Sequence, residues 1–422
     1  MEYAKHLFRR SQWVVLGILR LAGGRQTRSA TSVIITVEQL LPTDATSAIL
    51  VGRVFDPDVG GPCVVVIREG YAIDISHHAP TTSTLFAKPD VAGFLRSLPG
   101  TSKSWPLEQL LDSMRDEMDL NLPRLLAPVD LQVVKAAGVT FVESMLERVI
   151  EERAQGDPAR AQEIRGTLLA VIGGAISDVV PGSTEAKKVK EVLIAEGLWS
   201  QYLEVGIGPD PEIFTKAPVL AAVGCGQKIG VNNRSKWNNP EPELVMVVRP
   251  DGVAVGACLG NDVNLRDFEG RSALLLTEGK DNNASCALGP FVRIFDDSFT
   301  MDTVRHLELN LTVTGDDGFV LDGFSSMENI SRDPLDLVNH TIGTHHQYPD
   351  GFVLFTGTLF SPTKDRHEVG AGFTHDQGDI VRISTPQLGA LVNEVTYSQE
   401  AVPWTFGIWS LMKNLASRQL LS

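Results

Sequence analysis

Two acids stand inside one of the most apolar stretches of the chain, NNPEPELVMVV, and their placement constrains the fold more than any other feature. Glu241 and Glu243 are two residues apart on an apparent strand edge, so both side chains leave one face, about 6.6 Å apart along the strand. That spacing lets two carboxylates converge on one ion. An RPDG turn returns the chain as a second strand, VAVGACLG, which delivers Asp262 at its far end. Three carboxylates without histidine or thiolate companions form a hard, all-oxygen set that suits Mg²⁺, Mn²⁺ or Ca²⁺ better than zinc. The competing reading is three exposed acids at a strand edge and a turn, since most acids are exposed. Against it stand Pro242 between the glutamates, the flanking apolar strands, and Lys280 in GKDNNAS, which can offset part of the charge.

Composition narrows the classes of function. A net charge of −15 with no basic stripe argues against nucleic-acid binding. The four cysteines, Cys63, Cys225, Cys258 and Cys286, form no CxxC pair, which disfavours structural zinc and a disulfide framework and makes the cytoplasm the default location. No apolar run is long enough to span a bilayer; the run from Trp13 to Leu19 is far too short. With 43% hydrophobic residues, 38 Gly and 23 Pro in 422 residues, the chain reads as a loop-rich, β-rich globular protein of more than one domain.

Residues 1–33 are basic and read as a disordered extension, with a transit peptide or a secretion signal as alternatives. Short strands in ILVGRVF, CVVVIREG and YAIDIS predict a small N-terminal β-rich domain over 34–126, closed by a helix around Leu107 to Met118. A catalytic domain is expected over 127–422. Helical spacing over 144–204 predicts a helical insertion, and the charges of ERVIEERA read as its solvated face. Beyond it the chain returns to β: the ELVMVV hairpin, the alternating strand of Leu307, Leu309, Leu311 and Val313, then FVLFTGTLF, DIVRIS and ALVNEVTY. Asp333 and Pro334 mark a helix start, and the chain closes on an amphipathic helix with Trp404 and Trp409. The His345–His346 pair reads as a loop feature and Cys286 as a packing residue. Glu147 and Arg148 belong either to a lid formed by the insertion or to its wet face.

NPEPELVMVV, NDVNLRD, GKDNNASCALGP, the TGT of Thr356 to Thr358 and GDIVRISTPQLGALVNEV together resemble the fumarylacetoacetate hydrolase family, from about Val129 to Val395. The resemblance implies a mainly β, α+β architecture with a β-roll catalytic domain. In it Glu241, Glu243 and Asp262 hold one Mg²⁺ or Mn²⁺, Lys280 and Arg266 lie near the metal, and Thr358 lines the substrate pocket. PEIFTKAP matches a further family segment and carries Glu212 and Lys216 to the same site. Within the family, VGRVFDPDVGGPCVVV, WSQYLEVGIGPDPEIFTKAPVL, GNDVNLRDFEGRSALLL and SRDPLDLV are similar to bacterial 2-keto-3-deoxy-D-xylonate dehydratases. One departure is informative. Hydrolytic members carry a His-x-x-Glu pair, and here Ser144 stands at the histidine position, with Glu147 retained.

The resemblance therefore implies a hydro-lyase that converts a small 2-keto-3-deoxy-pentonate to 2-oxoglutarate semialdehyde, with no nucleic-acid or membrane partner and as a homo-oligomer. Glu212 is the first choice for proton transfer and Lys280 the second. A lysine beside a cation is pushed toward its neutral form, while three carboxylates pull the other way. Ser144, Lys216, Arg266 and Thr358 are expected to contact substrate. The alternatives are a C–C bond hydrolase of an acylpyruvate-like diketo acid and a non-catalytic keto-acid-binding module.

Overall fold

In the computed structural model, residues 35–99, 103–114, 121–168, 179–360 and 362–421 are described. The basic extension expected at the N-terminus lies outside them. Among the described residues, eighteen strands build three sheets. They are β1 (Leu50–Asp56), β2 (Gly61–Arg68), β3 (Tyr71–Asp74), β4 (Ser104–Pro106), β5 (Arg124–Leu126), β6 (Val133–Gly138), β7 (Glu212–Ala217), β8 (Ile229–Val231) and β9 (Asn238–Asn239). These are followed by β10 (Pro242–Val248), β11 (Ala254–Asp262), β12 (Asn264–Leu265), β13 (Cys286–Ile294), β14 (Glu308–Thr314), β15 (Val320–Ser326), β16 (Phe352–Phe355), β17 (Ile380–Thr385) and β18 (Gly389–Tyr397).

The largest sheet has eleven strands in the order β4-β3-β2-β1-β13-β11-β10-β16-β6-β7, with β5 beside β1. The hairpin of β10 and β11 lies near its middle, so both of its faces are covered. Leu244, Met246 and Leu259 face one core, together with Leu309, Leu311, Val381, Ile383 and Leu391 of the five-stranded sheet β15-β14-β17-β18-β8. Val245, Val247 and Cys258 face a second core with Val64, Val66, Leu85, Phe86, Val353 and Phe355. Burial on both faces is why β10 is apolar at nearly every position instead of at alternate ones. The β14 strand shows the other pattern: Leu309, Leu311 and Val313 are buried and the residues between them largely exposed, as the alternation predicts.

Strands β1 to β5 belong to the segment 34–126, for which a separate N-terminal domain is expected. They join the same sheet as the hairpin: β1 pairs antiparallel with β13, Leu50 opposite Arg293 and Val51 opposite Val292. The described residues all belong to one compact unit. The helix expected over Leu107 to Met118 covers Leu107–Ser113, and residues 115–120 lie outside the described set.

The insertion comprises α1 (Val142–Ala154), α2 (Pro158–Leu168), α3 (Thr184–Ala195) and α4 (Gln201–Ile207). Met145, Val149 and Ile150 of α1 meet Leu193, Leu203, Ile207 and Trp237 in a small core of their own. The solvated face expected for ERVIEERA is corrected here. Glu147 and Glu151 are buried and Arg148 is nearly so, because each finds an ionic partner on the sheet side of the helix. Short helices α5 (Arg266–Glu269) and α6 (Leu276–Lys280) follow β12, and α7 (Pro334–Thr341) begins where the sequence predicts. Asp333 caps it by accepting from the backbone N–H of Leu335 at 2.9 Å, with Pro334 in the first turn. The last helix, α8 (Ile408–Ser417), buries Leu411 and Leu415 and exposes Ile408, Trp409 and Met412. No helix among the described residues is long and apolar enough to cross a membrane.

Candidate active site

Glu241 and Asp262 face each other across the open end of the hairpin, where the Asp262 N–H donates to the Glu241 carbonyl at 3.0 Å. Glu243, one pleat further along β10, leaves the same face. The three carboxylates offer oxygens that all lie within 4.8 Å of one another. They are buried, at 1%, 1% and 2% exposure, so the reading as exposed edge acids does not describe them. Each is held from outside the hairpin. The Gly357 N–H donates to Glu243 Oε2 at 2.7 Å and the Thr358 hydroxyl to Oε1 at 3.2 Å. Gly357 has φ +105°, and a Cβ there would meet Thr140 Oγ1 at 1.8 Å, so only glycine lets the TGT segment present that N–H.

Lys280 bridges Glu241 and Asp262, at 3.0 Å from the latter. Lys216, wholly buried, pairs with Asp262 Oδ1 at 2.6 Å and donates to the Val263 carbonyl at 3.0 Å. Arg148 reaches in from α1 to Glu241 Oε1 at 2.7 Å, and also contacts Glu151 at 2.9 Å and Glu269. Arg266 is not among the residues that face the three carboxylates across the cavity. Its guanidinium meets Glu151 at 2.6 Å, Glu147 at 3.0 Å and the Pro362 carbonyl at 2.9 Å, and stacks on Trp237.

The carboxylates line a small cavity whose walls include Gly138, Ser144, Arg148, Tyr202, Glu212 and Thr358. The sequence-derived site residues thus divide. Glu212, Ser144, Thr358, Lys280 and the three carboxylates line the cavity; Lys216 and Arg266 stand behind its wall. Glu212, on β7, lies against Gly138 of the neighbouring β6, where a Cβ would come within 2.0 Å of Glu212 Oε2. Among the described residues its carboxylate makes no hydrogen bond or ion pair. Glu147, expected from the resemblance to be the retained half of a His-x-x-Glu pair, is not among the cavity's walls and is clamped by Arg165 at 2.8 Å as well as by Arg266.

Charge in so dry a space shifts proton affinities. Burial would raise the pKa of Glu241, but Lys280 and Arg148 outweigh it and bring it down to about 2. Glu243 has no such partner, and burial with the charges of Asp262 and Glu241 pushes it well above the usual carboxylate range. Burial opposes the Lys280 ammonium, yet Asp262, Glu241 and Glu269 hold it protonated. Glu212 is raised, chiefly by burial. Burial also raises Glu147, but the two arginines more than offset it and keep it ionised.

The donor set fits a divalent cation. Five carboxylates line the cavity, from Glu212, Glu241, Glu243, Asp262 and Glu269, against three cations, Arg148, Lys280 and the Lys216 behind Asp262. Three of the acids converge, and oxygen is the only donor type they offer.

Reading the sequence did not single out Glu269 or Tyr202, nor assign Arg148 to the site. One signal was available: Ser144, Arg148 and Glu151 recur at i, i+4, i+7 and so share a helix face. His345 and His346 are exposed in a loop, and Cys286 is a buried neutral thiol whose pKa burial pushes up.

Comparison with known proteins agrees with this architecture. Residues 203–396 match the family model described as fumarylacetoacetate (FAA) hydrolase C-terminal. A protein of Haloferax volcanii named "Probable 2-keto-3-deoxyxylonate dehydratase" is 33% identical over 195 residues, 46% of this chain and 63% of that protein. The 2-dehydro-3-deoxy-D-arabinonate dehydratase of Saccharolobus solfataricus is 30% identical over 188 residues, 44% of this chain and 58% of that protein. The matched stretch is therefore less than two thirds of either relative's length. Among solved structures, a 2-keto-3-deoxy-D-arabinonate dehydratase complexed with magnesium and 2,5-dioxopentanoate superposes with a TM-score of 0.57 at 20% identity, covering 82% of this chain and 99% of that one. At that identity the likeness shows a shared fold.

Proposed function

From the fumarylacetoacetate hydrolase-type domain over 203–396, we propose that the protein is a divalent-metal-dependent hydro-lyase. It removes water from a 2-keto-3-deoxy-pentonate, in the first place the D-xylonate-derived one, and forms 2-oxoglutarate semialdehyde. The observation that carries this reading is the disposition of Ser144, Glu147 and Glu212. The hydrolytic pair is absent: a serine occupies the cavity position, and the glutamate is locked as a carboxylate between Arg165 and Arg266. In its place one unpartnered carboxylate with a raised pKa, Glu212, faces the cavity. A group that takes a proton from carbon and passes it on needs that freedom.

Glu241, Glu243 and Asp262 would hold Mg²⁺, or Mn²⁺ with the same preference for oxygen, and the bound ion supplies Lewis-acid polarisation of the 2-keto group. Glu212 takes the C3 proton. Lys280 stays an ammonium and offers positive charge to the oxygen on which negative charge develops. The C4 hydroxyl leaves as water, and tautomerisation yields the C5 aldehyde. Ser144 and Thr358 border the space the substrate fills. Lys216 and Arg266 act as positioning residues instead of substrate contacts, because their donors are taken by Asp262, Glu147, Glu151 and backbone carbonyls. The same reading places the enzyme in the cytoplasm as a homo-oligomer, with the exposed Ile408, Trp409 and Met412 of α8 supplying apolar contact surface.

The test is NMR identification of products after incubation with Mg²⁺ and 2-keto-3-deoxy-D-xylonate, then with an acylpyruvate. Semialdehyde from the former is the expected outcome. Pyruvate plus a second acid, with no semialdehyde, overturns the reading in favour of C–C hydrolysis.

A further inference from the structure

Elimination needs a second proton-transfer group. Glu212 accounts for the proton that leaves C3, but the C4 hydroxyl departs as water only if it receives a proton of its own. Lys280 is poorly placed to supply it, since its ammonium is engaged by Glu241 and Asp262. Ser144 and Tyr202 line the cavity, but a hydroxyl is a weak acid, and burial raises the Tyr202 pKa further. One other carboxyl group in the cavity belongs to neither the three convergent acids nor the C3 step.

That group is Glu269, at the end of α5, 4% exposed and among the residues that line the cavity. Its Oε2 touches Arg148, while Oε1 is buried without a hydrogen-bond partner and lies 3.9 Å from Lys280 Nζ, too far for a hydrogen bond. A buried carboxyl oxygen left unpaired costs stability of its own, so its retention calls for an explanation. We infer that Glu269 is the general acid that protonates the departing C4 hydroxyl, an inference that rests on the dehydratase reading above.

The charges around the site show how it acquires that proton. A divalent cation held by the three convergent acids would offset their charge together with Arg148, Lys280 and Lys216. A keto acid brings one more negative charge into the closed space, and the compensating proton goes to a carboxyl group not committed to the metal. Glu269 is suited to it, because burial and the nearby charges of Glu241 and Glu151 raise its affinity to about 7 even against Arg148 and Lys280. The step balances. Glu212 first takes the C3 proton reversibly, leaving the 2-keto group as its enolate; the enolate then collapses to the C3–C4 double bond as the C4–O bond breaks, and the Glu269 proton leaves on the oxygen as water. The two acids end with their protonation exchanged.

Glu269→Gln keeps shape and hydrogen-bonding capacity but has no acidic proton. The experiment follows the Mg²⁺-loaded enzyme with 2-keto-3-deoxy-D-xylonate in D₂O by NMR, reading deuterium uptake at C3 separately from semialdehyde formation. Expected for the variant is a loss of semialdehyde formation of about 10²- to 10⁴-fold. C3 exchange should continue within about threefold of wild type, and Mg²⁺ affinity by calorimetry should be unchanged. Equal loss of exchange and dehydration, or dehydration within about threefold of wild type, would overturn the assignment. Glu269→Ala separates shape from acidity, since failure of Gln and Ala alike in exchange and in Mg²⁺ binding marks a merely structural role and also overturns it. Wild-type protein that neither exchanges nor dehydrates this substrate sinks the dehydratase reading itself, and the inference with it.

Discussion

At the residue scale the site works by contrast among chemically equal groups. Glu241 is ionised by two cations, Glu243 is pushed up by burial and two acids, and Glu212 stands free against Gly138. Their environments separate the proton affinities of otherwise equal carboxylates, as the proposed division into cation-holding and proton-transferring groups requires. Glu212→Gln therefore lowers turnover by about 10²- to 10⁴-fold, since a carboxamide cannot take the C3 proton, while Mg²⁺ affinity by calorimetry stays at the wild-type value. Turnover near wild type would remove Glu212 from the reaction. The convergence of Glu241, Glu243 and Asp262 was legible in sequence because strand parity fixes their face and apolar neighbours imply burial. Lys216 and Arg266 were legible as belonging to the region but not as standing behind its wall. Parity names the face of a strand, and only the packed structure says which side chain closes over which.

At the element scale, α1 carries the least legible contribution. Its apolar spacing announced a helix, but the same charges serve a solvated face and a buried ionic seam, and no local signal distinguishes them. What decides is the partner across the gap: Glu241 and Glu269 for Arg148, Arg266 for Glu147 and Glu151. Helix ends, by contrast, are local chemistry and were read directly. Asp333→Ala removes the cap of α7 and an exposed pair with Arg305 at 2.5 Å, which is worth little. The expected cost is about 1 kcal/mol in urea unfolding, with kcat/KM within about twofold of wild type because α7 contributes nothing to the cavity's walls. A tenfold fall in kcat/KM would show that α7 reaches the site.

At the scale of the whole molecule, a buried source of acid sensitivity lies outside the cavity. His375 is buried and pairs through Nδ1 with Asp379 at 3.2 Å, and Arg366 holds the same carboxylate at 2.6 Å. Burial lowers the histidine pKa below its ordinary 6.5 despite Asp379. Burial would raise Asp379, but His375 and Arg366 bring it below its ordinary 3.8. Both folded values are depressed, so the unfolded chain binds the protons first and stability falls as pH falls. The histidine part is complete above about 6.5 and is lost as pH drops from there toward the folded pKa; the aspartate part follows below about 3.8. Urea midpoints of chelated protein should decline between pH 7 and 5, and His375→Gln should flatten that interval.

A metal bound at the three acids would couple to stability through the fold itself. The three acids sit at one end of the central hairpin of an eleven-stranded sheet, and the segments that secure them come from α1, β7, α6 and the loop after β16. Sequence showed the hairpin; it could not show that strands 100 residues apart lie beside one another, roughly the span over which closure entropy hides such pairings. An ion bound only by this assembled set stabilises the folded state by mass action, about 2.7 kcal/mol at a concentration 100 times its Kd. Chelated protein titrated with Mg²⁺ should therefore show a progressive rise in Tm that tracks the calorimetric isotherm. Glu243→Gln should abolish the rise while leaving the chelated Tm equal or higher, because it replaces a carboxylate that burial and two acidic neighbours disfavour. A Tm indifferent to Mg²⁺ in the wild type would mean that Glu241, Glu243 and Asp262 do not bind the ion.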